Sequence, residues 1–88
     1  MTDDSTGGKQ MSAFLVKKGD YLCSLALTHS QGMEYEKSKQ FYIQAASWYK
    51  KAGATDKMNE AIMNARAEDE KLKNAPVIQQ DDQQDDSL

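Results

Sequence analysis

The chain contains one cysteine (Cys23), one histidine (His29) and one proline (Pro76). Each scarcity excludes something. A lone cysteine forms no intrachain disulfide, which fits a reducing compartment or indifference to redox. His29 and Cys23 lie about 600° of helical turn apart and share no face. A Cys–His nucleophile pair or a zinc site would therefore need ligands that the chain does not offer. Gly7-Gly8 follows no strand, so it is no phosphate-binding loop. No apolar run approaches the roughly 20 residues of a membrane span. The N-terminus carries acids and no apolar stretch, unlike a secretory signal. These absences lead us to expect a non-enzymatic, cytoplasmic protein without cofactor, metal or membrane association.

Apolar residues are also few, at 39%, with a mean hydropathy of −0.82. The shortage falls mainly at the two ends. Residues 1–11 have no hydrophobic periodicity, and residues 76–88 read PVIQQDDQQDDSL with the run QQDD twice. Both are expected to be disordered tails, because neither buries enough apolar surface to offset the entropy of ordering. For the second tail a docking peptide anchored by Val77-Ile78 is the other reading. Between them lies one small domain, residues 12–75, of marginal size for a stable core. The net charge of −3 belongs to the tails: from Met11 to Ala75 there are ten Lys/Arg against eight Asp/Glu. Charge alone points to neither nucleic acid nor membrane.

What the chain does have is a strongly periodic stretch from Met33 to Gly53, with five of the seven aromatic residues. Tyr35, Ser38, Tyr42, Ala45, Tyr49 and Ala52 recur at steps of three and four, which places them on one helical face. Phe41 and Trp48 flank that face, one heptad apart. Glu34 and Glu36 stand at the start of this helix and Lys50 and Lys51 at its end, each sign where the helix dipole favours it. Gly53 ends it. An earlier helix is predicted from about Ala13 to Ser30, with Ser12 as N-cap and a stripe of Leu15, Leu22, Leu25 and His29 beside Phe14 and Tyr21. Gly19 interrupts this helix, so a start at Asp20 as cap is the other reading, and Gly32 suits a left-handed cap after it. A third helix follows Thr55 as N-cap, with a stripe of Met58, Ala61, Ile62, Ala65, Asp69 and Leu72, and stops before Pro76. The expected fold is all-α: a helical hairpin plus third helix, or small three-helix bundle.

Most of the aromatics follow the core period, so packing accounts for them. Trp48 and Phe41 lie off the centre of the stripe, and Trp is favoured at interface hot spots. Met58 and Met63 add side chains that adapt to irregular partners. Phe41, Trp48, Met58 and Met63 are therefore the candidate partner-binding residues.

The spacing of Tyr35, Ser38, Tyr42 and Ala45, with Leu22, Leu25 and Ala26 in the helix before, resembles a tetratricopeptide-type helical hairpin. The stretch from Ala52 to Ile62 is similar to the opening of a next repeat, making one and a half repeats over roughly Asp20 to Ala65. Ser38 stands where the family has alanine, and His29 where it has an aromatic. The YEKS run at Tyr35–Ser38, with Tyr42 and Ala45, also resembles microtubule-interacting-and-trafficking domains, as does the ending Arg66-Ala67-Glu68…Lys71-Leu72-Lys73. Both resemblances imply binding of a peptide or helix in a groove between helices, without chemistry.

The expected function is a protein–protein interaction module, an adaptor, chaperone or inhibitor, that takes a partner segment into a helical groove or forms a homodimer. The alternative is a small nucleic-acid-associated regulator in which Lys17, Lys18, Lys37, Lys39, Lys50, Lys51 and Lys57 meet phosphates.

Overall fold

The computed structural model describes residues 2–74, with side chains from Met11 onward. The segment 76–88 lies outside the described residues. Within them the fold is all-α: α1 is Thr2–Gln31, α2 Tyr35–Ala52 and α3 Thr55–Asn74. α1 reaches back to Thr2, past the start expected near Ala13. Ser12 is thus a helix-interior residue and caps nothing. α3 begins at Thr55 itself, and the Ala54 carbonyl accepts from Met58 N at 2.9 Å.

α2 is the middle layer. It packs against α1 on one side and α3 on the other, while α1 and α3 have few backbone contacts with each other. Two short connections reverse the chain, so α1 and α3 run in the same direction. The first reversal differs from expectation. Gly32 does not adopt the left-handed conformation; Met33 does, at φ 64°. Gly32 N donates to the carbonyls of Thr28 and His29, and Glu34 N reaches back to His29 O at 2.8 Å. The second reversal follows the expected chemistry. Gly53 sits at φ 75° and ψ 14°, its N–H bonded to Lys50 O and that of Ala54 to Tyr49 O, which satisfies two carbonyls at the end of α2.

Among the described residues, the buried apolar ones are Ala26, Tyr42, Ala45, Ala46, Tyr49, Ala61 and Ala65. Five are alanines, so the helices approach closely and the two tyrosines fill the space between them. Of the predicted face of α2, Ser38, Tyr42, Ala45 and Tyr49 are buried, while Tyr35 and Ala52 at its two ends are half-buried. The face of α1 is displaced from the predicted leucine stripe. Its buried positions are Gly19 and Ala26, one heptad apart, while Leu15, Leu22 and Leu25 are only half-buried. Gly19 does not break α1. An added Cβ there would lie 2.5 Å from Cε1 of Tyr49, so this glycine is where the Tyr49 ring meets the α1 backbone.

Candidate functional site: a groove between the second and third helices

A helix buried on one stripe has side chains left over on its flanks, and on α2 and α3 those flanks face a common groove. From α2 come Lys39, Ile43, Ala46, Ser47 and Lys50; from α3 come Met58, Ile62, Ala65, Arg66 and Asp69. The spacing of 39, 43, 46, 47 and 50, like that of 58, 62, 65, 66 and 69, is the three-and-four step of one helical face. The groove has a volume of about 740 Å³. Its floor is apolar: Ile43, Ala46, Met58, Ile62 and Ala65. Ile43 is 47% exposed, apolar area that no other described residue covers.

The rim is cationic. Lys39 Nζ binds Asp69 Oδ1 at 3.2 Å across one end, and Lys73 Nζ stands 3.6 Å from Asp69 Oδ2. These two ammonium groups, Lys39 first, hold the Asp69 carboxyl below its ordinary range. Lys50 and Arg66 are exposed, and among the described residues neither has a carboxylate in ion-pair range.

Two polar clusters link α1 to α3 on the opposite side of α2. In the first, Tyr49 Oη donates to Asp20 Oδ1 at 2.5 Å and lies 3.6 Å from Cys23 Sγ, while Lys57 Nζ reaches Asp20 at 3.4 Å. Burial, then the bond to Asp20, pushes the Tyr49 phenol far above its ordinary value, and burial raises the Cys23 thiol. Both groups hold their protons, so neither is an activated nucleophile. In the second cluster the buried Glu68 accepts from Ser30 Oγ at 3.1 Å and from Lys71 Nζ at 3.0 Å. Its other oxygen, and the hydroxyl of fully buried Ser38, have no hydrogen-bond partner among the described residues. No sequence signal marks Glu68 as buried, because its partners come from α1 and from its own next turn.

The four candidate residues fall in different places. Phe41 and Trp48 lie on the α1 side of α2, away from the groove. Phe41 stacks on His29 with ring centroids 5.2 Å apart, and His29 in turn meets Glu34 Oε1. Trp48 is half-buried with two cations against its ring, Lys18 at 5.5 Å and Lys51 at 4.8 Å from the centroid. Met58 lines the groove, whereas Met63 is 66% exposed and does not line it. Ile43, Ile62 and Arg66 belong to the groove and were missed by sequence reasoning. The signal was there in Ile43, an apolar residue off the buried stripe of α2. Of the lysines considered for phosphate contact, Lys39 and Lys57 are in ion pairs, and Lys18 and Lys51 cover Trp48.

Among the described residues no helix is long and apolar enough to cross a membrane, and no cluster of three or more His, Cys, Asp or Glu is placed to hold a metal ion. Compared with known protein families, with curated proteins and with solved structures, the chain matches none of them.

Proposed function

We propose that this chain is a non-enzymatic protein–protein interaction module, an adaptor, chaperone or inhibitor, that receives a helical segment of another protein in the α2–α3 groove. The observation that carries this reading is the groove itself: an apolar floor of Ile43, Met58 and Ile62 along two helices, left open among the described residues and rimmed by charge. An amphipathic helix laid into such a groove covers apolar area on both partners, and the rim selects its orientation. On this reading α1 and α2 form a tetratricopeptide-type hairpin, α3 opens a next unit, and the partner helix occupies the position of a further helix. A cytoplasmic setting is part of the proposal, since the lone thiol of Cys23 packs as a small side chain and needs no oxidant. The lysine-based nucleic-acid reading is weaker, because four of its seven cations are already engaged within the fold.

The test is affinity capture with the full chain, followed by titration of the identified partner. Ile43→Asp and Ile62→Asp, each checked for retained helical circular dichroism, are expected to weaken binding at least about tenfold, as loss of a central anchor does. Binding that ignores both substitutions but collapses between 50 and 500 mM salt would instead favour phosphate contacts.

A further inference from the structure

The groove begins beside the point where the described chain ends. Asp69 and Lys39 close the end nearest the C-terminus of α3, and Asn74 is one turn further on. Fourteen residues follow Asn74: an apolar pair, Val77-Ile78, and then Asp81, Asp82, Asp85 and Asp86 with no cation among them. The groove carries the complementary pattern. Its apolar floor starts at Ala65 and Ile43, and its rim holds Lys39, Arg66 and Lys50 against a single acid, Asp69.

The lengths also agree. Measured back from Asn74 along α3, Arg66 lies about 12 Å away and Met58, at the far end, about 24 Å away, at about 1.5 Å per residue. An extended chain advances about 3.3 Å per residue, so Ile78 reaches about 13 Å from Asn74, Asp81 about 23 Å and Asp85 about 36 Å. Once the reversal is allowed for, Val77 and Ile78 come to the mouth of the groove beside Asp69 and Lys39, about 8 Å back from Asn74, and the aspartates reach Arg66 and then Lys50.

We infer that residues 77–86 of the same chain fold back along the α2–α3 groove, with Val77-Ile78 at the near mouth of its apolar floor and the aspartates along Arg66 and Lys50. This rests on the reading of the groove as a docking surface and names its resident occupant. A tethered segment acts at an effective concentration of about millimolar, so it covers the floor even with weak intrinsic affinity. A partner must displace it, which sets a threshold for binding. A second copy fits the groove less well. The exposed apolar stripe that another copy offers, Phe14 and Tyr21 on α1, travels with Lys17 and Lys18, which would meet a rim already cationic.

The experiment is amide NMR on the ¹⁵N-labelled full chain, comparing wild type with Val77→Asp/Ile78→Asp and with Arg66→Glu. Arg66 is exposed, so its substitution spares the buried core. The tail variant is expected to shift the amide resonances of Ile43, Ala46, Ile62 and Ala65 while leaving Phe14 and Tyr21 in place. Arg66→Glu is expected to bring the Asp81–Asp86 amides to sharp random-coil positions, and tenfold dilution is expected to change nothing. Shifts confined to residues 70–74, or no shifts, would overturn the inference. Groove shifts that fade on dilution would overturn it in favour of a second copy. Unmoved groove resonances with capture still abolished by Ile43→Asp would sink this inference and leave the partner reading standing. Moved resonances with capture indifferent to Ile43 would support the inference and remove the partner reading alone.

Discussion

At the scale of single residues, two backbone positions decide how the helices meet. Gly19 has no side chain because the Tyr49 ring occupies that space, with Cε1, Cδ1 and Cζ all within 2.8 Å of an added Cβ. The ring has little room to move, since its hydroxyl is tied to Asp20 and Cys23. Overpacking of this kind costs about 1–3 kcal/mol, despite the better helix propensity of alanine. Gly19→Ala is therefore expected to lower the melting temperature by several degrees. In a double-mutant cycle with Tyr49→Leu, which shrinks the ring, the two losses should be clearly non-additive. Additive losses would mean that Gly19 matters for backbone reasons alone. Met33 is the opposite case. It holds a left-handed conformation that costs an L-residue about 1–2 kcal/mol, with its side chain 76% exposed and so contributing little in return. Met33→Gly should stabilise the protein by up to about 1 kcal/mol, the gain being trimmed by the extra freedom of glycine in the unfolded chain. Thermal unfolding reads this directly, and a lower melting temperature would contradict it.

At the scale of helices, α2 carries the core. Tyr42 is 7% exposed and forms one buried cluster with Ala26 of α1 and Ala65 of α3. Tyr42→Ala leaves a cavity among residues too small to fill it, and is expected to cost about 3–5 kcal/mol, which a domain of this size barely withstands. Denaturant titration should show a collapsed or lost transition. Ser38→Ala is the contrasting change on the same face: a buried hydroxyl with no partner among the described residues is removed, and stability should hold or rise slightly. The stripe of α2 was legible in the sequence because large and small residues alternate there at one clear period. The stripe of α1 was not, because its leucines suggest the wrong line. Packing chose Gly19 and Ala26 instead, since only small residues admit the tyrosines of α2. The groove was half legible. Met58 was found as an adaptable apolar residue, but Ile43, Ile62 and Arg66 form a site only once α2 and α3 are set side by side, which no local pattern states. Glu68 was illegible for the same reason: a carboxylate can be buried only where Ser30 and Lys71 converge on it.

At the scale of the whole molecule, stability should depend on alkaline pH through Tyr42 and through one cluster that touches all three helices. Asp20 and Cys23 come from α1, Tyr49 from α2 and Lys57 from α3. Burial raises Cys23 above its ordinary value of 9.0, and raises Tyr42 and Tyr49 above 10.0, with the Asp20 bond adding to the effect on Tyr49. In the unfolded chain these groups release their protons at the ordinary values, whereas in the folded protein they retain them. The unfolded state then binds fewer protons, so stability falls as pH rises. The contribution is intact below about pH 9 and is lost progressively above pH 9–10. Melting temperatures taken from pH 7 to 11 should be flat at first and then drop steeply. Tyr49→Phe loses the bond to Asp20 and should start lower at pH 7, but its descent above pH 10 should be shallower, because one of the retained protons is gone. Parallel descents in the two proteins would show that Tyr49 ionises as freely folded as unfolded. That result would remove the Asp20–Tyr49 contact as the tie between α1 and α2, leaving Gly19 and the alanines to account for their close approach.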